Sequence, residues 1–182
     1  MAKGTYHHGD LRPALLKAAA EHIAESGVET LSLRELARRA GVSHAAPAHH
    51  FGDRRGLLTA LATEAFGLLA DQLEAAGPDF REIAVAYVRF AVSNPGHFKV
   101  MFRGDLLSAD DARLAAARQG SAAKLRTGAT AGRGPDTQLA AWSLVHGFAS
   151  LWLDGALKGS PLADDADPET LARRMVARVG LE

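Results

Sequence analysis

The segment from residue 32 to residue 51 carries closely spaced side chains that can hydrogen-bond a polyanion and the edges of its bases. Ser32 and Ser43 offer hydroxyl groups, Arg34 offers a guanidinium group and His44 offers an imidazole. Hydroxyl and guanidinium groups bind phosphate oxygens, and an imidazole can bind a base edge. We therefore expect this segment to bind nucleic acid if two helices present these groups on one surface.

The spacing of apolar residues in this segment predicts a helix-turn-helix. Ser32 is the candidate N-cap of the first helix, and Glu35 stands three residues later, at the capping-box position. The first helix has an apolar stripe at i, i+3, i+4 and i+7, formed by Leu33, Leu36, Ala37 and Ala40. Gly41 favours the left-handed turn that ends this helix, and Ser43 is the candidate cap of the short second helix.

The composition is that of an ordinary globular protein. The chain has 182 residues, of which 47% are hydrophobic and 23% are charged. It contains no cysteine, which excludes disulfides and thiol chemistry. The sequence has neither a long apolar run nor a signal-peptide pattern, so we expect no membrane span and a cytoplasmic location.

The formal net charge of zero is unevenly distributed along the chain. Residues 1–56 hold eight Lys/Arg and six Asp/Glu, a net charge of +2, which leaves −2 for the remainder. Six of the eight histidines lie in the same N-terminal segment. This distribution favours a polyanionic partner for the N-terminal part of the chain.

Proline and glycine divide the chain into about nine helical segments, and no segment has a convincing strand pattern. We therefore expect an all-α fold. The eighth predicted helix, at about 136–157, is apolar on nearly every side, which predicts that it is buried all round. Either helices 4 to 7 wrap this helix completely, or one of its faces meets the same helix of a second subunit. In the second case, the last two helices of each chain would form a symmetric four-helix interface.

Three blocks of the sequence resemble the tetracycline-repressor (TetR) family of bacterial transcription regulators. The first block spans residues 10–58 and includes LSLRELARRAGVS. The second, NPGHFKVMF at 94–102, resembles the helix 6 region of many members. The third, AWSLVHGFASLW at 141–152, contains Trp142, His146 and Gly147, which resemble the Trp-x3-His-Gly signature of one C-terminal subgroup.

The resemblance implies an all-helical homodimer that binds a double-stranded DNA operator. Residues 1–54 would form the helix-turn-helix DNA-binding domain, with three helices. Residues 55–182 would form the effector-binding and dimerisation domain, in which the last two helices join the subunits. A small effector would separate or rotate the two heads and release the DNA. The resemblance therefore predicts a transcriptional repressor that acts on a palindromic operator.

Helix-turn-helix geometry places the turn and the N-terminal half of the second helix against base edges. The residues that it nominates are Ser43, His44, Ala45, Ala46 and Ala48, followed by His49. His44 is the candidate for direct base readout, because an alanine can contact only a thymine methyl group. Phosphate contacts are expected from Ser32, from Arg34 in the first turn, and from Arg54, which stands where the family usually has a lysine.

Two adjacent residues depart from the family pattern. Pro47 stands where many members have a bulky aliphatic residue, and Ala48 stands where they have a tyrosine. Because proline lacks an amide proton, Pro47 must lie in the first turn of the recognition helix, or the helix must start with a tighter 3₁₀ turn. Ala48 removes a phosphate contact, and we expect His49 to replace it.

The effector site is expected among helices 4 to 8. The candidate lining residues are Tyr87, Phe90, Phe98, Met101, Phe102, Trp142 and His146. Since few charged residues occur in these segments, they predict an apolar or aromatic ligand. The alternative for each of these residues is an ordinary place in the hydrophobic core.

The sequence shows no signature of an enzyme, with no glycine-rich phosphate loop, nucleophile elbow or paired carboxylates. His44, His49 and His50 would diverge around a helix, and no acid or cysteine completes a metal-ligand set. We therefore expect no catalytic activity, no metal and no cofactor. The competing hypothesis is a helical ligand-binding or protein-interaction module that has lost operator binding, which Pro47 and Ala48 favour.

Overall fold

The computed structural model of the protein describes residues 11–129, 134–163 and 166–178. Within these ranges the chain forms nine α-helices and two short 3₁₀ helices with no β-strand, which confirms the predicted all-α fold. The α-helices are α1 (Leu11–Ser26), α2 (Leu33–Ala40), α3 (Ala45–Phe51), α4 (Arg54–Ala75), α5 (Phe80–Ser93), α6 (Pro95–Met101), α7 (Ala112–Ala129), α8 (Pro135–Leu153) and α9 (Pro168–Arg178). The 3₁₀ helices are Val28–Thr30 and Gly104–Leu106. None of the described helices is long and apolar enough to cross a membrane.

Helices α1 to α3 form the N-terminal unit, which we call the head. The apolar residues of α1 recur at helical spacing, and Leu15, Ala19 and Ile23 are completely buried. Leu36 of α2 is completely buried in the same core. The apolar stripes of α1 and α2 pack into one core that continues into the rest of the chain, and the outer side of α3 stays accessible.

Helix α4 runs from the head into the rest of the chain, which we call the body and which comprises α4 to α9. Its start is capped by Asp53, whose carboxylate accepts a hydrogen bond of 2.7 Å from the amide of Gly56. Arg55 in its first turn donates to the main-chain carbonyls of Leu107 at 2.6 Å and Asp105 at 3.2 Å. These bonds tie the first turn of α4 to the segment between α6 and α7.

Helix α5 occupies the centre of the body, and every residue from Ile83 to Val88 is buried. Helix α9 lies along α5, where Leu171, Ala172 and Val176 supply its buried face. Two ion pairs join the exposed edges of this contact. Their residues are Arg89 with Glu169, at 2.6 Å, and Arg173 with Glu82.

Helix α8 differs from the sequence prediction in its extent and in its burial. It ends at Leu153, because the residues that follow form turns. Only one side of α8 is buried, through Ala141, Val145 and Ala149. Leu139 and Leu151 are 60% and 49% exposed, so the prediction of burial all round is wrong for the single chain. One face of α8 is therefore apolar and open to solvent in this single chain.

Candidate functional site

Helices α2 and α3 form the predicted helix-turn-helix. The hydroxyl oxygen of Ser32 accepts a hydrogen bond of 3.1 Å from the amide of Glu35, which confirms the predicted cap of α2. Gly41 ends α2 in the left-handed region with φ at 65°, a conformation that costs little without a Cβ. The turn is closed by a hydrogen bond of 3.0 Å from the amide of Val42 to the carbonyl of Ala37.

The start of α3 differs from the prediction that the Ser43 side chain caps it. His44 occupies the N-cap position without a side-chain cap, and the main-chain carbonyl of Ser43 accepts from the amide of Ala46 at 3.0 Å. The predicted Ser43 side-chain cap is therefore wrong. Pro47 is the third residue of α3 and is buried, so it lies in the first turn. The amides of a first turn have no partner within the helix, and proline is therefore tolerated there.

The outer face of the turn and of α3 is accessible. Ser43, His44, Ala45, Ala48 and His49 are exposed, and Ala46 is half-buried. Within the described ranges, no three histidine, cysteine or acidic side chains are grouped so that they could hold a metal ion. The structure thus gathers the residues nominated for base contacts on one accessible surface, which we call the recognition surface.

The arginines of α2 have different electrostatic environments. Arg38 makes a two-pronged ion pair with Glu35, and Arg39 makes one with Glu25, at 2.6 to 2.9 Å. These guanidinium groups lower the pKa of both carboxyls. Glu35 therefore binds Arg38 through its side chain and does not complete a capping box. Arg34 is exposed, and no carboxylate of a described residue lies within 4.0 Å of it.

Arg54 is half-buried and is bound to the main chain of the head. Its Nε donates to the carbonyl of Leu31 at 2.8 Å, and its Nη2 donates to the carbonyl of Val28 at 2.6 Å. These carbonyls lie at the two ends of the 3₁₀ segment that connects α1 with α2. The geometry gives Arg54 a role in holding this connection, which its sequence position did not indicate.

A cavity of about 350 Å³ lies in the body between α4, α5, α7 and α8. Its volume is in the range of small-molecule sites, and most of its wall is apolar or aromatic. None of the described residues that form the wall is an aspartate or a glutamate. The lining residues are Phe66, Leu69, Phe80, Ile83, Ala84, Tyr87, Phe102, Arg118, Ser121, Ala122, Leu125, Arg126, Pro135, Gln138, Leu139, Ala141, Trp142 and Val145.

Three polar aromatic groups meet at one wall of this cavity. The hydroxyl oxygen of Tyr87 accepts a hydrogen bond of 3.3 Å from Nε1 of Trp142, and it lies 2.9 Å from Nδ1 of His146. Burial raises the pKa of the Tyr87 hydroxyl and lowers the pKa of His146. Since Trp142 can only donate, a neutral His146 lets the tyrosine hydroxyl donate its own proton to Nδ1. The remaining ring proton of His146 is then on Nε2.

The structure separates the predicted pocket residues into three groups. Tyr87, Phe102 and Trp142 line the cavity, whereas His146 lies beside it, against Tyr87 and Trp142. Phe90, Phe98 and Met101 are buried in the core and do not line the cavity. Arg118 and Arg126 of α7 also line the cavity and were not predicted, because α7 has no pronounced apolar stripe that would orient its residues.

Helix α6 connects the cavity region with the head. Its Gly96 lies so close to Ala20 of α1 that an added Cβ would come within 1.9 Å of the Ala20 carbonyl oxygen. Nearby, Nζ of Lys99 donates to the carbonyl of Ala24 at 3.3 Å. Phe102, the residue after α6, lines the cavity. Movement of α6 at the cavity would therefore press directly on the main chain of α1.

A helix-turn-helix head followed by a helical body with a cavity defines a class of DNA-binding regulators. Two family comparisons agree with this architecture. Residues 15–61 match the family described as "Bacterial regulatory proteins, tetR family". Residues 80–179 match the domain described as "Tetracyclin repressor-like, C-terminal domain". The chain belongs to the TetR family of transcriptional regulators, whose members bind DNA operators as dimers and respond to small molecules.

Solved structures support this assignment across nearly the whole chain. A Rhodococcus sp. RHA1 protein of unknown function is 33% identical, with 94% of each chain covered and a TM-score of 0.73. The TetR family transcriptional regulator PfmR from Thermus thermophilus is 28% identical, with 92% of this chain and 98% of PfmR covered and a TM-score of 0.68.

A more distant structure shares the fold alone. The TetR-like transcriptional regulator LfrR from Mycobacterium smegmatis, solved in complex with proflavine, is 20% identical. The match covers 91% of this chain and 92% of LfrR, with a TM-score of 0.69. No curated protein sequence is significantly similar to this chain.

Proposed function

We propose that this protein is a repressor that binds a palindromic operator as a homodimer and leaves it when a small effector binds. The observation that carries the proposal is the recognition surface, where Ser43, His44 and His49 are exposed on a head whose core is otherwise closed. Arg34 and the capped start of α2 add a cation and main-chain amides for phosphate groups. A partner of this kind is chromosomal DNA, so we propose a cytoplasmic protein.

The cavity is the proposed effector site. Its wall is mostly apolar and aromatic, with Tyr87, Phe102 and Trp142 contributing large rings, which favours an apolar or aromatic ligand. The Trp142 and His146 rings lie 5.5 Å apart at the cavity edge, which supports placing the body in the Trp-x3-His-Gly subgroup. Residues 1–54 would then serve as the DNA-binding domain and residues 55–182 as the effector and dimerisation domain.

Helix α6 is the proposed connection between effector binding and DNA release. A ligand beside Phe102 would displace α6, and the close contact between Gly96 and Ala20 would pass that displacement to α1. The ion pairs of Arg103 with Glu29 of the head, at 3.2 Å, and with Asp105, at 2.9 Å, lie at the same junction. A ligand changes DNA affinity only if it binds one arrangement of this junction better than the other.

The exposed face of α8 supports dimerisation through the last two helices. Leu151 is 49% exposed on this face, and a Cβ added to Gly147 would meet no atom within 4 Å. Small and apolar residues on one open helix face allow the same helix of a second copy to approach closely. A two-fold interface of this kind would place two recognition helices about 34 Å apart, one turn of duplex DNA.

Selection of bound sites from a pool of random duplexes tests the proposed function. We expect an enriched palindrome whose half-sites are about ten base pairs apart, centre to centre. The matched control is His44→Ala with Ser43→Ala, which removes the polar groups of the recognition surface without touching the head core. Enrichment should disappear in that variant. The same enriched sequence from both proteins would contradict the assignment of these residues.

The second candidate function is that of a helical ligand-binding module that does not bind an operator. It is favoured by the alanines of the recognition surface, since Ala45, Ala46 and Ala48 offer no hydrogen bonds to bases. Such a module would bind small molecules in the cavity and would return no enriched sequence. Nonspecific binding alone, which falls steeply with salt for every duplex, would also support this candidate.

A further inference from the structure

The cavity wall is mostly apolar, and α7 contributes two cations to it. Arg118 and Arg126 both line the cavity, and none of the described lining residues is an aspartate or a glutamate. The two arginines are eight residues apart, so they lie about two turns apart on neighbouring faces of the helix. The α7 side of the cavity is therefore positively charged, and α5 and α8 contribute the aromatic residues Tyr87 and Trp142.

The other two cations of α7 have acidic neighbours. Arg113 lies 3.8 Å from the carboxylate of Asp111, and Lys124 lies 2.7 Å from that of Glu74. In the part of the chain that the structure describes, Arg118 and Arg126 have no carboxylate within 4.0 Å. Among the described residues, the cavity thus holds the two cations of this helix that have no acidic partner.

Arg118 is held at the wall by an aromatic ring. Its guanidinium carbon lies 5.6 Å from the centroid of Phe66, and its side chain is half-buried. A cation over a ring face is attracted to it and loses freedom of movement. A partly desolvated guanidinium without an ionic partner gains most from an oxyanion that enters the cavity.

The aromatic wall, in contrast, does not need a polar group from a ligand. The Tyr87 hydroxyl is bound to Trp142 and lies within hydrogen-bonding distance of His146, at 3.3 and 2.9 Å. An apolar group against these rings leaves these hydrogen bonds intact, because it does not compete for their donors or acceptors. The cationic wall therefore favours a charged end of the ligand, and the aromatic wall favours an apolar end.

We propose that the cavity binds an amphipathic organic anion. Its apolar body lies against Tyr87 and Trp142, and its oxyanion end binds Arg118 and Arg126. This proposal rests on the effector role proposed above for the same cavity, and it adds the charge and orientation of the ligand. A carboxylate, a sulfonate and a phosphate share the chemistry that the two guanidinium groups recognise.

A matched pair of fluorescent probes tests the charge requirement. Anilinonaphthalene sulfonate carries an oxyanion, and phenylnaphthylamine has the same rings without it. We expect the sulfonate to bind the purified protein about tenfold more tightly than the neutral probe at low salt. Arg118→Gln combined with Arg126→Gln should abolish this preference, so that the two probes bind with similar affinity. Arg113→Gln, on the same helix outside the cavity, should change neither affinity.

Displacement of phenylnaphthylamine identifies the source of the oxyanion. Decanoate, decyl phosphate and decanol share one apolar chain and differ in their polar end. Stronger displacement by either acid than by the alcohol supports the proposal. The acid that displaces more probe identifies the preferred oxyanion, a carboxylate or a phosphate. If the double variant does not fold, Arg126→Gln alone replaces it, because Arg126 is exposed and its loss leaves the packing intact.

Two results would overturn the proposal. One is equal affinity of the wild-type protein for the charged and neutral probes. The other is a double variant that still prefers the sulfonate. These readouts do not involve DNA, so they are independent of the proposed regulator role. If the protein binds the anion but the anion never releases it from an operator, the proposed effector-controlled regulation is refuted and the anion site is not.

Discussion

Gly96 of α6 and Ala20 of α1 are in contact at a point where only a glycine fits. A Cβ on Gly96 would lie 1.9 Å from the Ala20 carbonyl oxygen and 2.7 Å from its carbonyl carbon. Both neighbouring atoms belong to the main chain, so they cannot move unless α1 moves. The body therefore touches the head through a rigid contact in which any added atom changes the relative position of two helices.

Gly96→Ala is expected to lower the free energy of unfolding by about 1 to 3 kcal/mol, because the added methyl overpacks a buried contact. Urea unfolding followed by circular dichroism measures the change. The control is Gly120→Ala on α7, where an added Cβ meets no atom within 4 Å. That substitution should stabilise the protein by about 0.5 to 1 kcal/mol, since alanine favours a helix over glycine. Equal stability of Gly96→Ala and wild type would contradict the tight contact.

Arg34 and Arg54 are expected to differ in what they contribute. Arg54→Met removes the side-chain donors to the carbonyls of Leu31 and Val28, of which Val28 keeps the 3.3 Å bond from the amide of Leu31, so it should lower the free energy of unfolding by about 1.5 to 3 kcal/mol. Arg34→Met should leave stability unchanged but weaken DNA binding and reduce its salt dependence by about one unit of slope. Denaturant unfolding and anisotropy over a salt series measure the two effects. A stable Arg54→Met protein with a reduced salt slope would show that Arg54 binds phosphate instead.

The half-buried position of His146 predicts a pH dependence of stability. Burial lowers its pKa below the ordinary value of 6.5, so the unfolded chain takes up this proton before the folded one does. Stability should therefore be constant above pH 6.5 for this group and should fall as the pH drops through 6.5 towards the folded pKa. His146→Asn keeps a polar group near Tyr87 but cannot titrate, so it should lose less stability on acidification.

Denaturation midpoints measured between about pH 7.5 and about pH 5 test this expectation. His44→Asn provides the control, because it removes an exposed histidine far from the cavity. The control should retain the wild-type slope. A His146→Asn slope equal to that of wild type would refute the assignment of this titration to His146.

The exposed face of α8 predicts a substitution that separates subunits. Leu151→Lys places a charge on this face, where burial against a second copy would leave it without a partner. Size-exclusion chromatography with light scattering should detect a monomer for this variant and a dimer for the wild type. Leu162→Lys is the control, since Leu162 is 81% exposed and lies outside α8 and α9. Retention of the dimer by Leu151→Lys would exclude this face from the interface.

The local signals of the head were sufficient to predict its fold from the sequence. Ser32, Gly41 and the stripe containing Leu36 each act within one or two turns of helix, and the structure has the expected cap, left-handed turn and buried face. Pro47 was restricted to the first helical turn by its missing amide, and it lies there. The prediction that the Ser43 side chain caps α3 was wrong. The amide of Ala46 donates to the main-chain carbonyl of Ser43, and α3 starts one residue later than predicted.

The cavity could be predicted only in part, because its wall depends on contacts between distant segments. Tyr87 and Trp142 were nominated for their chemistry, but the same chemistry also nominated Phe90, which is buried in the core. Arg118 was missed, because its place beside Phe66 depends on how α7 packs against α4. For Arg54, the sequence indicated a cation near the head but not the two carbonyls that bind it.

Titration of a fluorescently labelled duplex carrying the selected palindrome measures whether the protein binds its operator as a dimer. Anisotropy should saturate at two protein chains per duplex, the affinity should fall steeply with added salt, and a scrambled duplex should bind far more weakly. Saturation at one chain per duplex, or equal affinity for the scrambled sequence, would contradict a dimeric regulator that reads its operator with α3.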